Sequence, residues 1–331
     1  MNKQRRELIA NNQVSRMMTF SLGGYEQKVL LDGKSETSPV VLFLHGGPGG
    51  PVPFSAGCRG LYPNFTEHFI MAYWDQLGCG INNHPLDDSF TIGNFVDMTT
   101  DLIRALKQEF PNNLLALVGV SWGSVLAARA AAELPDLVDA VLVYGQVLKD
   151  MFFNDEVFET LHAAGLPQKA MDEAEALRAK PLHTTEEIIA ISKLITKYTD
   201  GYQCKAGGKL PMGKMIWGLL SSPDYSLKDF LAVLSNGTVK NHSLLNELMP
   251  QDLRDVLREV RVPYHILQGS TDIVTSTKNI SAFMAENTNA YLSLRVLPNN
   301  GHVPGPDGME EVLAEGLQML RDIQAARTAE T

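Results

Sequence analysis

The chain has 331 residues, 44% of them hydrophobic and 20% charged, with a formal net charge of −10. That is ordinary globular composition and leaves room for one large domain with an insertion or for two domains. The acidic balance excludes a general nucleic-acid binder, which needs a basic face to neutralise phosphates.

No run approaches the ~20 apolar residues of a membrane span. The basic start MNKQRRELIANNQVSRMM lacks the apolar stretch of a signal peptide. Cys58, Cys79 and Cys204 are odd in number, widely spaced and free of any CxxC pattern, which suits a reducing compartment. A cytoplasmic protein is expected, without membrane or nucleic-acid partners and with its oligomeric state open.

Residues 15–31 read as two short strands, SRMMTFSL and YEQKVLL, around the hairpin signal Gly23-Gly24. Pro39–Leu44 and Phe69–Trp74 are nearly continuous apolar runs, the mark of strands covered on both faces. Between Thr91 and Phe110, Ile92, Phe95, Val96, Leu102, Ile103 and Leu106 recur at helical spacing. A strand follows at Leu114–Val118, then an alanine-rich helix at Val125–Leu134 closed by Pro135, then a strand at Ala140–Tyr144.

From about Val147 to Met249 only helical segments follow, among them Thr184–Tyr198 with a Thr184/Glu187 capping box, and Ser226–Leu234. Alternation then resumes: strand Tyr264–Leu267, helix Ser276–Glu286, strand Tyr291–Leu297, helix Met309–Ile323. This order predicts an α/β fold, a mostly parallel sheet with helices on both faces. The core comprises residues 1–146 and 250–331. Residues 147–249 are too long for a connection and form an inserted helical cap domain.

Gly119-Val-Ser121-Trp-Gly123 is a G-x-S-x-G pentapeptide between a buried strand and a helix. A tight strand-to-helix turn there demands small flanking residues and lifts Ser121 above the sheet at a helix N-terminus, as in a nucleophile elbow. The bland alternative is a serine N-cap on an ordinary turn. A serine nucleophile needs a base, and the base a carboxylate to orient it. The strand YHIL leads into Gln268–Asp272 and the strand YLSLRVL into Pro298–His302. Both loops fall at strand C-terminal ends, where open α/β sheets bind ligands. Asp272 is therefore expected as the acid and His302 as the base. His265, His162, His183 and His68 are worse placed.

Acyl transfer also needs N–H donors for a tetrahedral oxyanion. One is expected from Trp122, directly after the serine. The other is expected from Gly46 or Gly47 in Leu42–Pro51, LFLHGGPGGP, a bare turn behind a strand. Phosphate binding is the rival use of such a turn, but no Gly-Lys-Ser/Thr follows it.

His45-Gly-Gly-Pro-Gly49, Trp74-Asp-Gln-Leu-Gly-Cys-Gly80, Gly119–Ser124 and the Asp272 and His302 loops together resemble the proline iminopeptidase branch of the α/β-hydrolase fold. The resemblance spans roughly Val14–Val147 and Arg261–Ala326. It implies an eight-stranded core, a helical cap over the site, removal of N-terminal proline from peptides, and neither metal nor organic cofactor. Leu77 stands where that family usually has Arg. Asp75 and Gln76 are read as scaffolding for the glycine turn, and Cys79 as packing.

An aminopeptidase must hold a cationic amine. Asp155, Glu156 and Glu159, in an acid-rich stretch of the cap that also carries Phe152, Phe153 and Phe158, are the candidates for that contact. The expected activity is a metal-independent serine hydrolase acting through an acyl-enzyme on a small molecule or short peptide, of proline iminopeptidase type. The alternatives are a carboxylesterase or acyltransferase of the same fold, or a non-catalytic ligand sensor.

Overall fold

Strands β1 (Val14–Leu22), β2 (Tyr25–Gly33), β3 (Val40–Leu44), β4 (Ile70–Tyr73), β5 (Leu115–Val120), β6 (Ala140–Tyr144), β7 (Tyr264–Gly269) and β8 (Leu292–Leu297) form one sheet. Their spatial order is β1-β2-β4-β3-β5-β6-β7-β8. The computed structural model describes residues 3–51, 54–208, 211–234 and 241–330. The β1–β2 hairpin and the β2–β4 pair are antiparallel, and every pairing from β4 to β8 is parallel. The expected mostly parallel, eight-stranded sheet is borne out.

Alternation along the central strands explains the layering. In β3, Val40, Leu42 and Leu44 face the core shared with the helices Ile92–Glu109 and Trp122–Glu133. Val41 and Phe43 face the opposite core, with Val312, Met319 and Leu320 of the helix Pro306–Glu330. Both faces are covered, so the strand has no polar side to show. Truncating Leu42, which is fully buried, should cost roughly 2–5 kcal/mol.

Two helices begin earlier than the apolar periodicity indicates. One starts at Trp122 rather than Val125, because the serine turn itself opens the helix. The other runs from Pro306 to Glu330 rather than from Met309 to Ile323. Proline suits a first helical position, where its missing N–H would have no partner.

Between β6 and β7 the described elements are helical, including Asp155–Ala163, Gln168–Arg178, Thr185–Tyr198, Met212–Leu220, Leu227–Leu234 and His242–Leu248. Residues 209, 210 and 235–240 of this stretch lie outside the described residues. Its two ends meet: Leu253 N–H donates to Leu148 O at 2.8 Å beside a bridge between Lys149 and Asp252. Polar links tie it to the rest, among them three on the side of the N-terminal helix and the loop after β4. The Arg5 guanidinium donates to Gly218 O and Gly57 O, Arg59 pairs with Asp224 at 3.0 Å, and the Tyr225 hydroxyl donates to Asp75 at 2.5 Å. Among the described residues, no helix is long and apolar enough to cross a membrane.

Candidate active site

Ser121 sits at the tip of the turn between β5 and the helix Trp122–Glu133, with φ 52° and ψ −118°. A non-glycine residue with positive φ is strained by about 1–3 kcal/mol and persists only where its surroundings enforce it. The flanking glycines do so. A Cβ on Gly123 would stand 1.9 Å from Leu44 O, and one on Gly119 2.7 Å from Gly123 O. The helix start is thereby pressed against the end of β3, and the turn has no room to relax.

Asp272 and His302 arrive on the loops after β7 and β8. His302 Nε2 lies 2.9 Å from Ser121 Oγ, and His302 Nδ1 lies 3.0 Å from Asp272 Oδ2. Asp272 is fully buried. It also accepts from the amides of Val274 and Thr275, the Thr275 hydroxyl and the Gln268 side chain. Every neighbour donates to it, so Nδ1 of His302 carries the proton on that side and Nε2 is left to accept from the serine hydroxyl.

The histidine loop is clamped from the helical stretch. His302 N–H donates to Gly201 O and Val303 N–H to Tyr202 O, while the Tyr202 ring lies 5.8 Å from the imidazole. The phenol of Tyr202 is pushed above its ordinary range by burial and then by the Asp272 charge. Tyr202 carries no signal in the sequence, because a tyrosine among helical segments is ordinary there.

The glycine turn passes directly beside the serine. A Cβ on Gly46 would lie 3.2 Å from Val120 O and 3.5 Å from Ser121 Cβ. Gly47 has φ 119°, a conformation reserved for glycine. Trp122 occupies the first turn of its helix, where a backbone N–H has no intrahelical acceptor. Its indole is wholly buried.

That indole donates to Gln76 Oε1 at 2.8 Å. Gln76 N–H donates to His45 Nε2 at 3.0 Å, and His45 Nδ1 meets Gly46 O at 2.9 Å. Because Nε2 accepts, Nδ1 must be the donor, which fixes the His45 tautomer. Burial drives the His45 pKa down to about 4, so the ring is a neutral spacer holding the turn. Gln76 thus braces the glycine turn. Asp75 ties the segment that follows the glycine turn to the loop after β4, accepting from the amides of Ala56 and Ile81 and from Tyr225. Burial raises the Asp75 carboxyl to about 6 against the pull of those donors. Leu77 is packed in the core, and Cys79, its thiol pushed well up by burial, is packed beside His45. All three cysteines are buried and free.

A cavity of about 510 Å³ opens beside Ser121, Gly46, Gly47 and His302. Its apolar wall includes Phe43, Phe54, Met151, Phe152, Met215 and Met309. None of the three candidate carboxylates, Asp155, Glu156 and Glu159, lines it. Asp155 is exposed and pairs with Arg178; Glu159 is exposed and pairs with Lys278 at 2.9 Å; Glu156 accepts from the Ser276 hydroxyl at 2.6 Å. The helix Asp155–Ala163 buries Val157, Phe158 and Leu161, so its acids face other partners. Of the three aromatics, Phe152 reaches the cavity, Phe153 stacks on His183, and Phe158 lies under the Arg178 guanidinium.

The chain is 22% identical over 293 residues to a probable aminopeptidase of Bacillus subtilis (strain 168), covering 87% of this chain and 91% of that one. It is 24% identical over 306 residues to a proline iminopeptidase of Heyndrickxia coagulans, covering 88% and 93%. The crystal structure of a proline iminopeptidase of Mycobacterium smegmatis superposes with a TM-score of 0.64 at 17% identity, over 94% of this chain and 100% of that one. Residues 39–308 match the family described as the alpha/beta hydrolase fold. With β3 through β8 and both loops after β7 and β8 inside that match, the chain belongs to the α/β-hydrolase fold family.

Proposed function

We propose that this protein is a serine hydrolase that works through an acyl-enzyme on Ser121, with His302 as general base and Asp272 as its orienting acid. The observation that carries this reading is the unbroken sequence of contacts from Ser121 Oγ to His302 Nε2 and from His302 Nδ1 to Asp272 Oδ2, at 2.9 and 3.0 Å. His302 takes the serine proton as Oγ attacks the acyl carbonyl, then delivers it to the leaving group. Amides of Trp122 and of Gly46 or Gly47 supply the oxyanion donors. Water then attacks the acyl-serine by the same route in reverse. Residues 147–249 act as a cap over the site, and the free thiols suit a cytoplasmic setting.

The bond cleaved is that of an acyl derivative, an ester or amide small enough for the cavity. A second reading, removal of an N-terminal residue such as proline from a short peptide, is favoured by the names of the B. subtilis and H. coagulans relatives. An organophosphonate probe tests the shared chemistry. It should label the protein once, on the segment Leu114–Arg129, and labelling that survives Ser121→Ala would refute the assignment.

A further inference from the structure

An aminopeptidase and an ester hydrolase differ in what must sit beside the acyl carbonyl. The amine of a peptide N-terminus is attached to the carbon next to the scissile carbonyl, so it has to enter the cavity with it. An ammonium taken from water without a counter-charge costs several kcal/mol. Among the described residues that line the cavity, no Asp, Glu, Lys or Arg is present, and its ionisable members are His302 and Tyr202. Asp272 stands behind His302, already satisfied by five donors. The cap acids Asp155, Glu156 and Glu159 are bound to Arg178, Ser276 and Lys278.

What the cavity does present is apolar and adaptable. Met151, Met215 and Met309 line it with Phe43, Phe54 and Phe152, and Met212, 53% exposed, carries the lining out to the mouth. Thioethers repack around ligands of varied shape more readily than branched side chains do.

Resting on the reading of Ser121 as nucleophile, we propose that this cavity is an acyl pocket for uncharged, apolar acyl groups, and that the preferred substrates are esters and amides of such acids rather than peptides with a free N-terminal amine. In the reaction, Ser121 Oγ forms an ester to the acyl carbon as the bond to the leaving alcohol or amine breaks. The serine proton passes through His302 to that leaving group. Water hydrolyses the acyl-serine, so that ester and water give acid and alcohol.

The test is a matched pair, hexanoyl p-nitroanilide and norleucyl p-nitroanilide, which differ only in the α-amine, alongside p-nitrophenyl esters from acetate to hexanoate. The hexanoyl compound should have a kcat/KM at least tenfold higher. The ester series should gain about threefold to fourfold per methylene, the worth of a buried CH₂. Met212→Glu, at a half-exposed position that tolerates charge, should shift the pair's ratio toward the amine by tenfold or more. Faster cleavage of norleucyl or prolyl anilide by the unaltered protein, or an unchanged ratio in folded Met212→Glu, overturns the proposal. If phosphonate still labels Ser121 in that event, the hydrolase reading stands without it. No labelling and no turnover of any substrate overturns both.

Discussion

The indole N–H of Trp122 donates to the side-chain carbonyl of Gln76 at 2.8 Å, and that contact joins the two halves of the proposed oxyanion site. Trp122 belongs to the serine turn, whereas Gln76 holds the His45–Gly46 segment through the His45 ring and carbonyl. Gln76 lies outside the cavity lining, so it acts as a positioning residue. Gln76→Ala leaves a buried indole N–H without an acceptor, at a cost of about 1–3 kcal/mol. It should also lower kcat by roughly tenfold to a hundredfold with KM little changed, since misplacement by an ångström is enough for that. In a double-mutant cycle with Trp122→Phe, the combined loss should be clearly smaller than the product of the single losses. Independent losses would show that the bridge does not couple the two halves.

Ser121→Ala and His302→Ala should each lower kcat by roughly 10⁴-fold or more, and the double variant should be hardly worse than either, because the members of such a set fail together. The strained backbone adds a second readout. Ser121→Gly fits φ 52° without a Cβ penalty, so it should abolish turnover while raising Tm. A lowered Tm in Ser121→Gly would mean that the elbow is not under strain.

Much of this architecture is legible in the sequence because it is local. The continuous apolar runs at β3 and β4, the glycines at 119 and 123 and the loops after β7 and β8 each announce themselves within a few residues. The brace behind the glycine turn does not. His45 is a lone histidine before a glycine, and its role depends on a backbone N–H thirty-one positions away. The direction in which the cap acids point was equally hidden, since it depends on Lys278 and Ser276, about 120 residues downstream. A helical period shows which face is apolar, but not which partner meets the polar one.

Those partners lead to an expectation for the cap. Asp155→Ala and Glu159→Ala remove exposed ion pairs and should change neither kcat/KM for any acyl substrate nor the preference between free-amine and uncharged acyl groups. Glu156→Ala leaves the Ser276 hydroxyl without that acceptor, so a modest loss of stability is expected with the substrate preference intact. Steady-state kinetics on the matched anilide pair checks all three. A selective loss of norleucyl cleavage in any of them would place that carboxylate at the substrate amine.

His45 and Asp75 flank the same turn, and their pKa values are displaced in opposite senses. Burial lowers His45 from 6.5 to about 4 and raises Asp75 from 3.8 to about 6. Between pH 4 and 6.5 the unfolded chain protonates His45 while the folded chain does not, so this group's stability is complete above pH 6.5 and is lost as pH falls toward 4. For Asp75 the folded chain holds the extra proton between pH 3.8 and 6. Its favourable contribution is complete below pH 3.8 and is lost as pH rises through 6. Each term is on the order of 3 kcal/mol in full and about 1.4 kcal/mol per pH unit in slope, so the two nearly cancel over pH 4–6. Single substitutions should uncover them. His45→Gln should make the stability curve fall more steeply with rising pH than the unaltered protein's, and Asp75→Asn should make it rise. Urea unfolding at half-unit steps from pH 4 to 6.5, with the m-value constant, measures both slopes. Curves that stay parallel to that of the unaltered protein would mean that neither group exchanges its proton on unfolding, and that the two are not buried in the forms assigned to them.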